Sequence, residues 1–237
     1  MGERAVRQYM RRNLKANVMK TAQAAEIASL IPEGSTVMIG GFMGAGIPPR
    51  LIDELVRQRK NGLTVIANDT ARPGVGIGKL IAAGLVRRVI TSHIGTNPET
   101  QRQMLAGETD VELVPQGTLV ERIRAGGFGL GGVLTPTGVG TLAAEGKRTV
   151  ETDGRTFLLE LPLKADFALI NAKRADYFGN LEYALNSRNF NPVMAMAANT
   201  VVAEADDVVP VGVIPPDAVV TPHVLIHYLV CRDRNHG

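Results

Sequence analysis

Apolar positions in the first half of the chain follow two alternating periods. Short continuous runs over 36–39, 63–67, 88–91 and 111–114 read as buried strands. Between them, apolar residues recur at three- and four-residue spacing and predict helices over 48–57, 77–83, 98–106 and 118–125. An earlier helical face of Ala24, Ile27, Ala28 and Ile31 follows Thr21, a plausible N-cap, and stops at Pro32-Glu33-Gly34. Strands of about five residues alternating with helices of about ten imply right-handed βαβ units. The fold expected is α/β, an open and mainly parallel sheet with helices on both faces.

After residue 125 the pattern changes. Residues 126–141 hold so many glycines that neither a helix nor a regular strand is expected, yet their Leu, Val, Thr and Pro are not linker composition. A packed loop close to the site is the reading there. Residues 155–161 and 167–171 read as strands, the first as a hairpin arm after Asp153-Gly154. A polar loop over 186–192, a short helix over 194–198 and a strand over 200–204 follow. Pro215-Pro216-Asp217 breaks the chain before a last apolar strand over 219–229. This half is expected to complete the same sheet.

Composition narrows the picture. The 237 residues are 45% hydrophobic and 4% aromatic with 26 Gly, which suits one α/β domain. The formal charge of +3 owes much to Arg4, Arg7, Arg11, Arg12, Lys15 and Lys20. We therefore divide the chain into a basic extension over 1–18 and a single domain over 19–237. The remainder is nearly balanced, which argues against nucleic acid as a partner. The one cysteine, Cys231, excludes an internal disulfide, and no Cys/His spacing suggests a metal site. His223 and His227 would share a strand face without being adjacent. No apolar run reaches the ~18 residues of a membrane span, and the N-terminus lacks a signal-peptide core. A cytoplasmic protein is expected.

Candidate chemistry centres on Gly40, Gly41, Phe42, Met43, Gly44, Ala45 and Gly46, between the strand at 36–39 and the helix that Pro48-Pro49 opens. Glycines there let the backbone take positive φ and let a ligand approach the main chain. The helix behind should aim free N–H groups and its positive dipole end at the loop. No Gly-Lys-Ser/Thr closes the loop, so it is not a P-loop. In an open parallel sheet, ligands sit beyond the C-terminal strand ends. Small or polar residues follow each strand, including Asn68-Asp69-Thr70, the 92–97 segment and Pro115-Gln116-Gly117-Thr118. Asn97 and Thr118 suit helix N-caps. Asn68 and Gln116 are less easily explained as caps, and neutral amides suit a site where an oxyanion forms and collapses. On these residues alone, a sugar-phosphate isomerase-like enzyme or a ligand-sensing regulatory domain also remains open.

Several stretches resemble one family. They are Gly-Gly-Phe-Met-Gly-Ala-Gly-Ile-Pro at 40–48, Ile-Ala-Asn-Asp-Thr-Ala at 66–71 and Ser-His-Ile-Gly-Thr-Asn-Pro-Glu-Thr at 92–100. Val-Pro-Gln-Gly-Thr-Leu at 114–119, Leu-Thr-Pro-Thr-Gly-Val-Gly-Thr at 134–141 and Ser-Arg-Asn-Phe-Asn-Pro at 187–192 extend the match. The first contains the signature Gly-Gly-Phe-x-x-x-Gly-x-Pro, and the resemblance extends over roughly 19–230. The chain resembles the α (A) subunit of the family I CoA-transferases, of the bacterial acetate/acetoacetate type. That resemblance implies ping-pong transfer of CoA between an acyl-CoA and a carboxylic acid, through a glutamyl-CoA thioester. It implies that CoA is substrate rather than a resident cofactor, and that no metal takes part. The family's nucleophilic glutamate lies in a Ser-Glu-Asn-Gly motif, which this chain lacks; Glu99 and Glu182 do not match it. A β subunit carrying that motif, in an α2β2 assembly, is therefore implied. By position, Gly40 to Gly46 would be the CoA-associated loop, with Asn68 and Gln116 lining the acyl and oxyanion region.

Overall fold

The computed structural model describes residues 20–231. The basic extension expected over 1–18 lies outside the described residues. The first half runs as β1 (Lys20–Ala22), α1 (Ala24–Leu30), β2 (Thr36–Ile39), α2 (Pro49–Arg57), β3 (Leu63–Ile66), α3 (Ile77–Ala82), β4 (Val86–Thr91), α4 (Pro98–Leu105), β5 (Asp110–Leu113) and α5 (Gln116–Phe128). The second half runs as β6 (Val133–Thr135), β7 (Thr149–Thr152), β8 (Arg155–Glu160), β9 (Ala165–Asp176), β10 (Leu181–Glu182), α6 (Asn191–Met194), β11 (Ala198–Val209) and β12 (Tyr228–Val230).

The main sheet has the order β1-β12-β11-β9-β2-β3-β4-β5, with β10 paired to β9. Every pairing along that order is parallel, and only the β10–β9 pair is antiparallel. From β2 the chain steps outward through β3, β4 and β5. It then returns to place β9 on the other side of β2. The strand order thus reverses at β2, and the loop expected to bind a ligand leaves β2 at that point, where open α/β sheets form their crevices.

Strand alternation divides the core between two faces. Val37 and Ile39 join Leu51, Ile52, Leu55, Leu80 and Ile81 on one side. Met38 joins Leu119, Ile123, Val193 and Met194 on the other. Val65 and Ile66 divide in the same way, as do Leu169 and Ile170 and Val202 and Ala203. Coverage on both faces explains why these strands read as continuous apolar runs. Each fully buried Leu or Ile, such as Leu55 or Ile39, contributes about 1.5–3 kcal/mol of transfer free energy.

The structure corrects several readings. Thr21 belongs to β1, paired with Leu229, and does not cap α1. The N-cap is Gln23, whose N–H donates to the Glu26 carboxylate at 2.9 Å. Helix α5 starts at Gln116 behind Pro115, not at Thr118, and runs through Gly126 and Gly127. A Cβ on Gly126 would lie 1.9 Å from the Leu163 carbonyl oxygen, and one on Gly127 would lie 2.7 Å from Met196 Cβ. Those glycines serve close packing, not chain breaking. The 126–141 segment also supplies β6, which joins β7 and β8 in a separate three-stranded antiparallel sheet. The second half therefore does not all enter the main sheet. The β7–β8 hairpin does turn at Asp153 and Gly154, with φ of 51° and 69°. Helix α6 begins at Asn191, earlier than the 194–198 reading. Residues 219–229 are not one strand: Pro216 and Pro222 accompany 3-10 turns at Pro216–Ala218 and His223–Leu225, and only Tyr228–Val230 pairs. His223 and His227 consequently share no strand face; the His227 ring accepts from the Val201 N–H at 3.1 Å.

Candidate active site

The loop after β2 folds on itself. Phe42 and Ala45 exchange both backbone hydrogen bonds, at 2.9 and 2.8 Å. Between them Met43 and Gly44 have φ of 52° and 94°, the signs that a two-residue primed turn demands. The glycines on either side are fixed by what touches them. A Cβ on Gly40 would meet Asn191 Oδ1 at 1.7 Å, and one on Gly46 would meet the Ser187 carbonyl at 2.5 Å. Asn189 accepts the Gly41 N–H at 3.1 Å and donates to the Ala45 carbonyl at 3.1 Å. Asn191 donates to the carbonyls of Gly46 and Ser187 at 2.9 and 2.8 Å. Sequence reasoning saw 186–192 only as a polar loop. It is a clamp of two asparagines, and the quoted Ser-Arg-Asn-Phe-Asn-Pro run was the only signal for it.

One expectation about this loop fails. The N-terminal N–H groups of α2 do not face a ligand. The Glu204 carboxylate on β11, 2% exposed, accepts the Arg50 and Leu51 N–H groups at 3.2 and 3.0 Å and the Arg50 Nε at 3.0 Å. Burial pushes the Glu204 carboxyl above its ordinary value, against the pull of the Leu51 and Arg50 donors. The positive end of α2 is thus satisfied from within the fold. Among the described residues, the N–H groups of Gly44, Gly46 and Ile47 have no acceptor.

The strand ends beside the loop form a second cluster. Asn68 and Asp69, 1% and 5% exposed, follow β3. Gln116, exposed, follows β5 and opens α5. Gln116 Nε2 donates to Asn68 Oδ1 at 2.7 Å, and Asn68 Nδ2 donates to Asp69 Oδ2 at 2.8 Å. Asp69 also accepts the N–H groups of Met43 at 2.8 Å and Ala71 at 2.7 Å. The structure therefore joins Asn68 and Gln116 directly and ties both to the loop through Asp69. Sequence reasoning named Asp69 as part of a strand end but gave it no role. Asn97 is the N-cap anticipated: its side chain accepts the Thr100 N–H at 3.3 Å and donates to the Thr70 carbonyl at 3.0 Å. A cleft of about 300 Å³ opens beside Gln116, between Gly117, Thr118 and Glu121 on α5 and Val133, Leu134 and Thr135 on β6.

The site offers neutral donors beyond β3 and β5, beside the loop that leaves β2. Of its carboxylates, Asp69 is buried and engaged by three N–H donors, and Glu121 on the cleft wall is paired with Arg124 at 3.0 Å. Glu99 is elsewhere, on α4, where Arg102 and Gln103 hold its carboxyl down at about 2. Glu182 is engaged by Arg174. Neutral amide donors of this kind are suited to stabilising negative charge on an oxygen.

The family model for coenzyme A transferase matches residues 20–232. The chain belongs to that family. The transferase is 57% identical over 198 residues to the acetate CoA-transferase subunit alpha of Escherichia coli strain K12, covering 84% of this chain and 90% of that one. It is 50% identical over 211 residues to the acetoacetyl-CoA:acetate/butyrate CoA transferase alpha subunit of Clostridium acetobutylicum, covering 89% and 97%. The transferase is accordingly an α-type subunit of an enzyme that transfers CoA. Its fold superposes on an acyl-CoA transferase of E. coli O157:H7, solved as a thioester complex with CoA, at a TM-score of 0.82 and 22% identity. That match covers 91% of this chain and 48% of the other, so the transferase spans about half the length of that protein.

Proposed function

We propose that this chain pairs with a β-type subunit and moves CoA between a short-chain acyl-CoA and a free carboxylic acid, with acetate, acetoacetate and butyrate as the acids to test. The names of its relatives support that substrate class. The observation that carries the reading is the contact of Gln116 with Asn68 at 2.7 Å. Two neutral amides meet beyond the ends of β3 and β5, beside the loop that leaves β2.

The reaction runs as two mirrored halves. A glutamate on the β subunit, in its Ser-Glu-Asn-Gly motif, attacks the thioester carbonyl. The C–S bond breaks, leaving an acyl-glutamyl anhydride and CoA thiolate. The thiolate attacks the glutamyl carbonyl and releases the first acid, so CoA is held as a glutamyl thioester. A second carboxylate reverses these steps. Each attack places negative charge on a carbonyl oxygen, and Gln116 Nε2 is the donor assigned to it, with Asn68 behind it accepting its other proton. Such a donor is worth about 3 kcal/mol. The segment from Gly40 to Gly46 lies along the CoA, with the Gly44 and Gly46 N–H groups turned to its polar atoms. Binding energy along the long CoA arm lowers the barrier at the thioester. The assembly is α2β2, CoA enters as substrate, and the enzyme works in the cytoplasm; no helix among the described residues is long and apolar enough to cross a membrane.

The test is CoA transfer from acetyl-CoA to acetoacetate, and to butyrate, by the chain alone and after co-expression with the chain carrying Ser-Glu-Asn-Gly. Activity only in the pair, with a glutamyl-CoA adduct detected by mass spectrometry on the partner, is expected. Full activity of this chain alone would overturn the reading.

A further inference from the structure

Within the proposed CoA-transfer reading, we infer that Asp69 is a positioning residue whose carboxylate sets the direction of a hydrogen-bond relay ending at Gln116. An ionised carboxylate only accepts hydrogen bonds, whereas a primary amide both donates and accepts, according to which way it is turned. Asp69 is fixed at one end of the relay by two backbone donors that cannot be reversed, Met43 and Ala71, at 2.8 and 2.7 Å. Facing it at 2.8 Å, Asn68 must present Nδ2. Its Oδ1 is then turned outward and accepts from Gln116 Nε2 at 2.7 Å. Gln116 must therefore present its NH2 group at the mouth of the site, with one proton spent on Asn68 and one left over. Without the carboxylate, both amides can turn together, and Gln116 then offers its carbonyl to the reacting oxygen, which repels it. Burial supports this polarity: Asp69 and Asn68 are enclosed while Gln116 is exposed.

The test is a double-mutant cycle in the enzyme assembled with its partner chain, using acetyl-CoA as donor and acetoacetate as acceptor. Gln116→Ala should lower kcat about 100-fold, as for loss of one oxyanion donor. Asp69→Asn keeps the shape but replaces an acceptor-only group with an amide that can turn its NH2 toward Asn68, and should lower kcat about 10- to 100-fold with KM for acetyl-CoA changed less than about twofold. Added to Gln116→Ala, it should cost less than about twofold more, because it acts through a side chain already gone. Asp69→Ser, whose hydroxyl is equally indifferent to direction, carries the same expectation and serves if the first variant assembles poorly. An equal loss in both backgrounds, or a raised KM with a lowered Tm, would mean that Asp69 only holds Met43 and the loop, and would overturn the relay. Wild-type kcat in Asp69→Asn alongside a slow Gln116→Ala would overturn the relay and leave the oxyanion role intact. Wild-type kcat in Gln116→Ala would remove the oxyanion role, and the relay with it.

Discussion

The two flanks of the sheet end in opposite kinds of chemistry. Beyond β3, β4 and β5 the strand ends carry amides and hydroxyls, with Asn68, Ser92, Asn97 and Gln116 bonded among themselves and to backbone. Along the later parts of β9 and β11, past the end of β2, the strands carry charge. Glu204 is tied to Arg50, Lys173 lies 3.7 and 3.9 Å from Asp206 and Asp207, and these groups line a cavity of about 470 Å³. The larger cavity is thus on the charged flank, away from the amide pair. A carboxylate about 4 Å from a developing oxyanion would oppose it by about 4 kcal/mol at an effective dielectric of about 20. Neutral donors avoid that penalty. The comparison teaches that this fold uses fixed charge to hold α2 and sets neutral amides at the mouth of the flank proposed to react.

The comparison breaks most visibly at Glu204. Glu204→Ala leaves the Arg50 guanidinium only the Ala205 carbonyl and deprives two helix N–H groups of their acceptor, and should destabilise the chain by about 3–5 kcal/mol in urea unfolding. An unchanged midpoint would mean that the apolar face of α2 alone holds it. Glu112, inside β5, gives a smaller effect. Burial opposes its ionised form, but the Arg122 and Arg88 guanidiniums, each at 2.7 Å, outweigh that and hold its carboxyl below the ordinary value. A lowered folded-state value means stability that is present above the unfolded value and lost as pH falls through the folded one. Glu112→Gln should therefore cost about 1 kcal/mol at neutral pH, and the difference from wild type should shrink below pH 4.5. A difference that grows in acid would invert the assignment. Lys173→Ala sharpens the contrast from the other side. Its ion pairs are half exposed, so a change within about 0.5 kcal/mol is expected; a larger one would show that the charged rim is structural as well as its buried base.

What was legible in the sequence follows from range. Local period announced β2 to β5 and the helices between them, because each element's apolar face is written in its own residues. Strand-end positions picked out Asn68 and Gln116, and glycine density picked out the loop, with the family-like motifs agreeing; the structure brings the two amides together. The groups that hold that loop were not legible. Asn189 reaches Gly41 across 148 positions, and Glu204 reaches Leu51 across 153. Nothing near the loop announces either partner, so its helix end looked free. Gly126 and Gly127 misled for a different reason. Glycine marks both chain breaks and close approaches, and only the neighbouring Leu163 and Met196 show which applies.

The position of β9 has a consequence for how the chain is made. Strand β2 is central, yet one of its two neighbours is synthesised late: the Thr36 N–H waits for Asp166, 130 positions onward. Until the ribosome has delivered β9, the nascent β2–β5 half presents an unpaired strand to its surroundings. Long-range pairing of this kind slows folding and leaves growing chains prone to associate. Premature termination between α5 and β9 would then yield a sticky fragment instead of a smaller working domain.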